Sequence, residues 1–403
     1  MTRVLVVDDS RFMRTVIGNA LGEAGYETET AVNGSEAVEL AGTFDPDVVT
    51  MDVEMPELDG IDAVERIMTT NPVPILMLSA HTECGAEATL DALERGAVDF
   101  LHKPDGSDSR TMIDLTKEVV DKVDDLAEAN VSTVALARAT ATAHATRSRL
   151  AGNPGQGTAT GNAVAVGSVD VQVNADHGTA GPAARPRIET PSEADADAAS
   201  LPTDRTAAPT IVLGASTGGP KIVERLFERL PVDLEAKVLV VQHMPPGFTD
   251  RFADRLDTHS AYDVFEASDG EWLEPGEVAV APGDSHLEVG SAVDDCLRLR
   301  LSDGERVHGV RPSIDVTMES AATAVEDGLC GVVLTGMGFD GAAGIEAIKA
   351  ADGYTIAQDE ATSPVFGIPC QAIETGCVDT VAPADGIVDA IVDAFTTDGE
   401  NDD

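Results

Sequence analysis

The sequence is poor in basic and aromatic residues. Its 403 residues include 26 lysines and arginines against 72 aspartates and glutamates, which gives a formal net charge of -46, and aromatic residues make up 3%. Such a negative surface repels nucleic acids and anionic lipids, so we expect neither nucleic-acid binding nor direct membrane insertion. Hydrophobic residues still make up 43% of the chain, enough for the cores of two or three globular domains.

Cysteines are few, and long apolar runs are missing. The five cysteines, at positions 84, 296, 330, 370 and 377, form no C-x-x-C pair and no zinc-binding spacing, which predicts reduced thiols. No apolar run reaches the roughly 18 residues of a membrane span. The first residues predict a strand rather than a signal peptide. We therefore expect a cytoplasmic protein.

The negative charge is spread along the chain and is not confined to one tail. Adaptation to concentrated salt explains this distribution better than a local acidic patch, because at molar salt the Debye length is only about 3 Å and self-repulsion is screened. For such a halophilic protein we expect the midpoint of thermal unfolding to rise with KCl. A chain that is most stable in dilute buffer would contradict this hypothesis.

Short apolar runs alternate with amphipathic segments over the first 129 residues, which predicts a doubly wound parallel sheet. Polar residues close its strands: Asp8 and Asp9 the first, Asp52 the third, Ser79 the fourth and Lys103 the fifth. The carboxyl ends of parallel strands line the ligand crevice. Three carboxylates gathered there require a hard cation such as Mg²⁺. Each aspartate alone is also compatible with a helix N-cap, but their joint placement with the lysine argues against caps only.

Residues 1 to about 125 resemble a response-regulator receiver domain. The motifs that carry the resemblance are Asp8-Asp9, Met51-Asp52-Val-Glu-Met-Pro56, Asp59-Gly60, Ser79-Ala80 and Lys103-Pro104. The resemblance implies a flavodoxin-like (βα)5 fold and phosphorylation of Asp52 by a chemotaxis histidine kinase. It also implies that Mg²⁺ is held by Asp8, Asp9, Asp52 and the backbone carbonyl of Glu54.

The same resemblance assigns three further residues to the switch of the receiver. Ser79 and Lys103 are expected to contact the phosphoryl group. Phe100 stands three residues before Lys103, where receivers carry a switch aromatic, and ordinary core packing is its alternative role.

Residues 126–208 separate the two halves of the chain. They begin with a helical pattern, but from Ala151 to Ala208 the sequence is rich in Gly, Ala, Asn, Thr, Pro and Asp and contains no aromatic residue. Because so little apolar surface cannot offset the entropy of ordering, we predict a long, low-complexity, disordered linker. Residues 398–403 form an acidic tail.

Three polar residues follow apolar runs in residues 209–397: Ser216, His243 and Asp340. The preceding runs are Ile211–Leu213, Lys237–Val241 and Gly331–Leu334. If these runs are neighbouring parallel strands, their carboxyl ends bring the three side chains to one edge of a sheet. Residues 209–397 are thus predicted to form a second doubly wound α/β domain.

Serine, histidine and aspartate suit catalysis by a hydroxyl nucleophile, because an imidazole accepts the serine proton and a carboxylate fixes the imidazole. Taken singly, each has another interpretation: Ser216 in a phosphate-binding or structural turn, His243 in a core or a helix cap, and Asp340 in a turn. The chain order also differs from the Ser, Asp, His order of α/β-hydrolases, which argues against that fold.

Residues 209 to about 395 resemble the catalytic domain of the chemotaxis methylesterases, the CheB family. The supporting motifs are Gly214-Ala-Ser-Thr-Gly-Gly-Pro220, Val241-Gln-His243-Met-Pro, Arg311-Pro-Ser-Ile-Asp315, Thr335-Gly-Met-Gly-Phe-Asp340-Gly and Gly367-Ile-Pro369. The resemblance implies that Ser216 is the nucleophile, His243 the base and Asp340 its orienting acid. It makes the backbone amides of Thr217 and Met337 candidate oxyanion donors.

The implied reaction is hydrolysis of glutamate methyl esters on methyl-accepting chemoreceptors, with deamidation of receptor glutamines as a second activity and no metal in the hydrolytic step. Two other functions stay open from the sequence. One is a phosphorylation-gated binding module, and the other is a general serine esterase under receiver control.

Overall fold

The computed structural model describes residues 1–80, 83–103, 112–128 and 207–396. Most of the predicted linker at 126–208 and the acidic tail at 398–403 lie outside these ranges. Two α/β units are present, each built on its own parallel sheet. Among the described helices, none is long and apolar enough to cross a membrane.

The N-terminal unit has five parallel strands in the order β2-β1-β3-β4-β5, which confirms the predicted receiver fold. The strands are β1 (Arg3–Val7), β2 (Glu27–Ala31), β3 (Val48–Asp52), β4 (Ile75–Ala80) and β5 (Asp99–Lys103). The helices are α1 (Arg11–Glu23), α2 (Gly34–Thr43), α3 (Gly60–Thr70), α4 (Glu83–Glu94) and α5 (Met112–Glu128). Central strands β1 and β3 are buried almost throughout, as expected for strands covered by helices on both faces.

The helices that follow β1 and β3 are capped by other residues than the predicted site aspartates. Ser10 caps α1 by accepting the N–H of Met13, and Asp59 caps α3 by accepting the N–H of Asp62. Asp52 is the last residue of β3. The interpretation of Asp9 and Asp52 as simple helix caps is therefore wrong.

The C-terminal unit contains a seven-stranded parallel sheet in the order β15-β14-β13-β6-β7-β10-β8. Its strands are β6 (Thr210–Ala215), β7 (Lys237–Gln242), β8 (Asp263–Glu266), β10 (Glu277–Val280), β13 (Leu329–Val333), β14 (Tyr354–Gln358) and β15 (Thr380–Ala382). The second, antiparallel sheet comprises β9 (Trp272–Leu273), β11 (His286–Val293) and β12 (Cys296–Ser302).

Six α-helices are assigned in the described part of this unit. They are α6 (Gly219–Arg229), α7 (Thr249–His259), α8 (Ile314–Ala324), α9 (Ala342–Ala350), α10 (Gly367–Glu374) and α11 (Ile387–Thr396), with short 3-10 turns at Val232–Leu234 and Ala384–Gly386. Strands β6 and β7 are buried along their whole length.

The order of the central strands determines where the polar residues meet. β6 pairs in parallel with β13 on one side and with β7 on the other. The segments that carry Ser216, His243 and Asp340 follow β6, β7 and β13, respectively. All three residues therefore leave the same edge of the sheet from adjacent strands, as the sequence predicts.

Candidate active site

The turn after β6 holds Ser216 through its backbone. The Ser216 N–H donates to the carbonyl of Thr335 at 2.9 Å, and the side-chain amide of Gln242 donates to the Ser216 carbonyl at 2.8 Å. Gly218 then takes a left-handed conformation, with φ of 76°, before α6 begins at Gly219. Because the N–H and the carbonyl of Ser216 are both hydrogen-bonded, the backbone that carries the half-buried Ser216 side chain is held in place.

His243 and Asp340 are in direct contact. Nε2 of His243 lies 2.8 Å from Oδ2 of Asp340. An ionised carboxylate only accepts hydrogen bonds, so Nε2 carries the proton in a neutral imidazole and Nδ1 has the free lone pair. The imidazole is therefore oriented the other way round from that of chymotrypsin, in which Nδ1 faces the carboxylate.

Asp340 is held at the N-terminus of α8. Its carboxylate accepts hydrogen bonds from the hydroxyl of Ser313 and the N–H of Ile314, both at 2.7 Å. Burial acts to raise the pKa of Asp340, but the hydrogen bond and charge of His243 and the donors of α8 outweigh burial and lower this pKa. The carboxylate is therefore ionised and well placed to fix the imidazole.

A cavity of about 610 Å³ brings the candidate residues together; it is lined by Ser216, Thr217, His243, Met337 and Asp340, among others. Within the described ranges, the backbone N–H groups of Thr217 and Met337 donate to no protein acceptor, as an oxyanion site requires. Gly336 lets the Met337 loop approach closely, since an added Cβ would lie 2.6 Å from Cβ of Ser216.

The receiver unit holds an acidic cluster at the ends of β1 and β3. Carboxylate oxygens of Asp8, Asp9 and Asp52 lie within 4.8 Å of one another, and Nζ of Lys103 is 2.7 Å from both Asp8 and Asp52. Burial raises the pKa of Asp52 to about 6, even though Lys103 acts to lower it. An all-oxygen cluster with this excess of negative charge fits Mg²⁺.

The other predicted receiver residues lie around this cluster. Glu54 is exposed in the loop after β3, and Ser79 is buried in β4. Phe100 is buried, but its ring stacks on Phe248 of the C-terminal unit, with ring centroids 4.7 Å apart. Phe100 is thus part of the interface between the two units, which neither of its predicted roles included.

The receiver unit also lines the cavity that contains Ser216. Residues of β5 and α5 form one wall of it. Lys122 of α5 pairs with Asp99 and places Nζ 3.0 Å from the hydroxyl of Thr217, the residue after Ser216. The sequence does not reveal this role of Lys122, because nothing in an amphipathic helix marks a lysine that contacts another domain.

Ion pairs join the two units beside this wall. Arg255 of α7 binds Glu224 of α6 at 3.1 Å and reaches across to Asp91, at 3.3 Å, and Glu94 of α4. Lys221 donates to the Glu94 carbonyl at 3.1 Å, and burial lowers the pKa of Lys221 to about 8. Basic residues of the C-terminal unit thus meet acidic residues of the receiver.

Known proteins match this chain along almost its whole length. The family model for the CheB methylesterase matches residues 211–391, and that for the response regulator receiver domain matches residues 4–114. A protein-glutamate methylesterase/protein-glutamine glutaminase of Haloarcula marismortui is 45% identical over 400 residues, covering 98% of both chains. A protein of the same name from Pyrococcus horikoshii is 40% identical and covers 97% of this chain and 93% of the relative.

Solved structures match each half separately. The CheB methylesterase catalytic domain of Thermotoga maritima is 41% identical, with a TM-score of 0.45, and covers 46% of this chain and 98% of that domain. The response regulator domain of Thermotoga maritima CheB is 43% identical, with a TM-score of 0.30, and covers 32% of this chain and 98% of that domain. Because relatives that are 40% and 45% identical match nearly the entire sequence, the chain belongs to the CheB family of receiver-linked methylesterases.

Proposed function

We propose that the protein is a phosphorylation-regulated chemotaxis methylesterase that removes methyl groups from chemoreceptor glutamates, and that it acts in the cytoplasm. The contact between His243 and Asp340, on a cavity that also contains Ser216, carries this proposal. Serine, imidazole and carboxylate at adjacent strand ends are the groups that hydroxyl-based ester hydrolysis requires.

In the proposed mechanism, Nδ1 of His243 accepts the Ser216 proton while the hydroxyl oxygen attacks the ester carbonyl. The backbone N–H groups of Thr217 and Met337 stabilise the resulting oxyanion. The imidazolium returns the proton to the leaving methoxide, so methanol departs and a glutamyl ester on Ser216 remains. Water then attacks this ester with His243 again as base, which frees the receptor glutamate and regenerates the serine.

The same groups hydrolyse a glutamine side chain, because the carbonyl is attacked in the same way and ammonia leaves in place of methanol. The imidazolium protonates the departing nitrogen. The proposal therefore includes deamidation of receptor glutamines.

For the receiver, we propose that Asp52 accepts a phosphoryl group from the chemotaxis histidine kinase, and that Asp8, Asp9, Asp52 and the Glu54 carbonyl hold Mg²⁺. Bound Mg²⁺ neutralises charge on the phosphoryl group and the carboxylates. Lys103 already contacts Asp52, so its ammonium pairs with the new phosphoryl oxygens, and buried Ser79 offers a hydroxyl to them.

Access to Ser216 is controlled by the receiver in this proposal. β5 carries both Lys103, which binds the phosphoacceptor, and Phe100, which stacks on Phe248. Rearrangement of Lys103 on phosphorylation therefore shifts the strand that holds the interface, and the wall formed by α5 moves away from the cavity.

Replacing Lys122 with methionine is expected to raise the methanol-release rate of the unphosphorylated enzyme about 5- to 10-fold. This is the effect expected when one charge-assisted contact is lost from the closed state, in which α5 covers the cavity. The fully phosphorylated rate should change little, because the open state lacks that contact. Exposed Lys117 of the same helix provides the control Lys117→Met. An unchanged basal rate in a Lys122→Met variant with normal thermal unfolding would contradict a closing role for this lysine.

The function itself is tested by comparing substrates. The phosphorylated protein should release methanol from methylated chemoreceptor membranes and show little activity on simple esters or casein. Equal activity on unrelated esters would favour a general esterase, and absence of hydrolysis with normal phosphorylation would favour a binding module.

A further inference from the structure

A second imidazole–carboxylate pair lies beside the first. Nε2 of His308 is 2.9 Å from Oδ2 of Asp315, and ligand atoms of His308, Asp315 and Asp340 all lie within 4.8 Å of one another. Asp315 and Asp340 are only 3% and 2% exposed, whereas His308 faces the cavity that contains Ser216. Two buried carboxylates are therefore adjacent, and each has its own histidine.

Asp315 also fixes the backbone that follows Asp340. Its Oδ1 accepts the N–H groups of Gly341, at 2.8 Å, and Gly344, at 2.7 Å, and its own N–H donates to Asp340 at 3.1 Å. The carboxylate oxygens of both residues are thus engaged by N–H, O–H or ring partners. The cluster is a hydrogen-bond network and leaves no free set of oxygens for a cation.

Two neighbouring buried carboxylates repel one another, and the network must offset this. Burial raises the pKa of Asp315, and the charge of Asp340 raises it further against the donors of Gly344 and Gly341, whereas the pKa of Asp340 is lowered overall. The charge of Asp315 is therefore the less well stabilised of the two, and His308 is the basic group in contact with it.

We propose that His308 is a positioning residue of the hydrolytic reaction, whose imidazolium neutralises Asp315 so that Asp340 alone controls the protonation of His243. This inference rests on the proposed triad of Ser216, His243 and Asp340. Without the positive charge of His308, Asp315 would add its field to that of Asp340, and His243 would hold its proton to higher pH. A protonated His243 cannot act as the base.

The other charged groups near His308 either pair with different residues or lie farther from Asp315. Arg306 and Arg311 both bind Asp284, at 2.8 and 2.9 Å, so neither is the partner of Asp315. The edge-on ring of Phe339 covers His308, with centroids 4.5 Å apart. In the described part of the chain, the other charged groups that line the cavity or face the network are Glu319 on α8, His243 and Asp340 in the site, and Asp99, Glu118, Asp121 and Lys122 on the receiver wall.

The test is the pH dependence of kcat/KM for methanol release, measured with a small phosphodonor present. His308→Gln keeps a hydrogen-bond donor but removes the charge. The acidic limb of the kcat/KM profile should therefore shift to higher pH by about one unit. Asp315→Asn removes the opposite charge, so the limb should move down by about the same amount. The control is His259→Gln at the exposed end of α7, which should leave the limb in place.

Opposite shifts in the two variants are the result expected from a charge effect. A lower kcat with an unmoved limb in both variants, or shifts in the same direction, would overturn the proposal and leave a structural role. Thermal unfolding identifies a variant that fails to fold. In that case the direction of the pH shift in the other variant distinguishes a charge effect from a structural role. A wild-type protein that releases no methanol would instead refute the proposed function.

Discussion

Replacing Ser216 with alanine is expected to lower methanol release by about 10⁶-fold, the loss seen when the serine of the subtilisin triad is removed. The reason is chemical: His243 and Asp340 remain in contact, but no hydroxyl is left to form the ester intermediate. The measurement is methanol released from methylated receptor membranes, with ammonia release from receptor glutamines followed in parallel. Both activities should fall together, since they share one nucleophile.

The fold of the Ser216→Ala variant should be intact, because both backbone hydrogen bonds of residue 216 are kept. Ser291→Ala in β11 is the matched control and should keep full activity. Substantial methanol release by a folded Ser216→Ala variant would end the assignment of the nucleophile. Loss of only one of the two activities would show that they use different groups.

Replacing Asp52 with asparagine is expected to abolish phosphorylation and with it all activation of the methylesterase. Asparagine keeps the shape of the side chain at the end of β3 but cannot form an acyl phosphate. Labelled phosphate transferred from the histidine kinase measures the first effect, and the ratio of methanol-release rates with and without phosphodonor measures the second. The rate without phosphodonor should remain near that of the unphosphorylated wild type, since Ser216 is untouched.

Two controls sharpen the Asp52 experiment. Asp263→Asn, on the exposed edge of the C-terminal sheet, should be phosphorylated and activated normally. Removal of Mg²⁺ from the wild type with a chelator should reproduce the Asp52→Asn result, because the carboxylates of Asp8 and Asp9 would then be left unneutralised near the incoming phosphate. Normal activation of Asp52→Asn would place the phosphoacceptor elsewhere.

The sequence predicts the alternating strands and helices of the receiver, because buried parallel strands appear as continuous apolar runs. It also predicts the polar residues at the ends of these strands. The convergence of Ser216, His243 and Asp340 could also be predicted, since each follows such a run. In both cases a local pattern and the rule that parallel strands share an edge were sufficient.

The features that escaped prediction depend on contacts between distant segments. Lys122 and Thr217 lie 95 positions apart, and Phe100 meets Phe248 across two domains. The pairing of His308 with Asp315 was also missed, although they are only 7 positions apart, because it depends on how the loop before α8 folds back over the site. Nor does sequence reveal that Nε2 of His243 is the atom that faces Asp340.

The most direct test of the account is methanol release by the wild-type protein from methylated chemoreceptor membranes, measured in KCl-rich buffer with Mg²⁺, with and without a small phosphodonor. We expect slow release by the unphosphorylated enzyme and a several-fold faster release once Asp52 is phosphorylated. A fully phosphorylated protein that releases no methanol, or one that releases it no faster than before, would contradict the account.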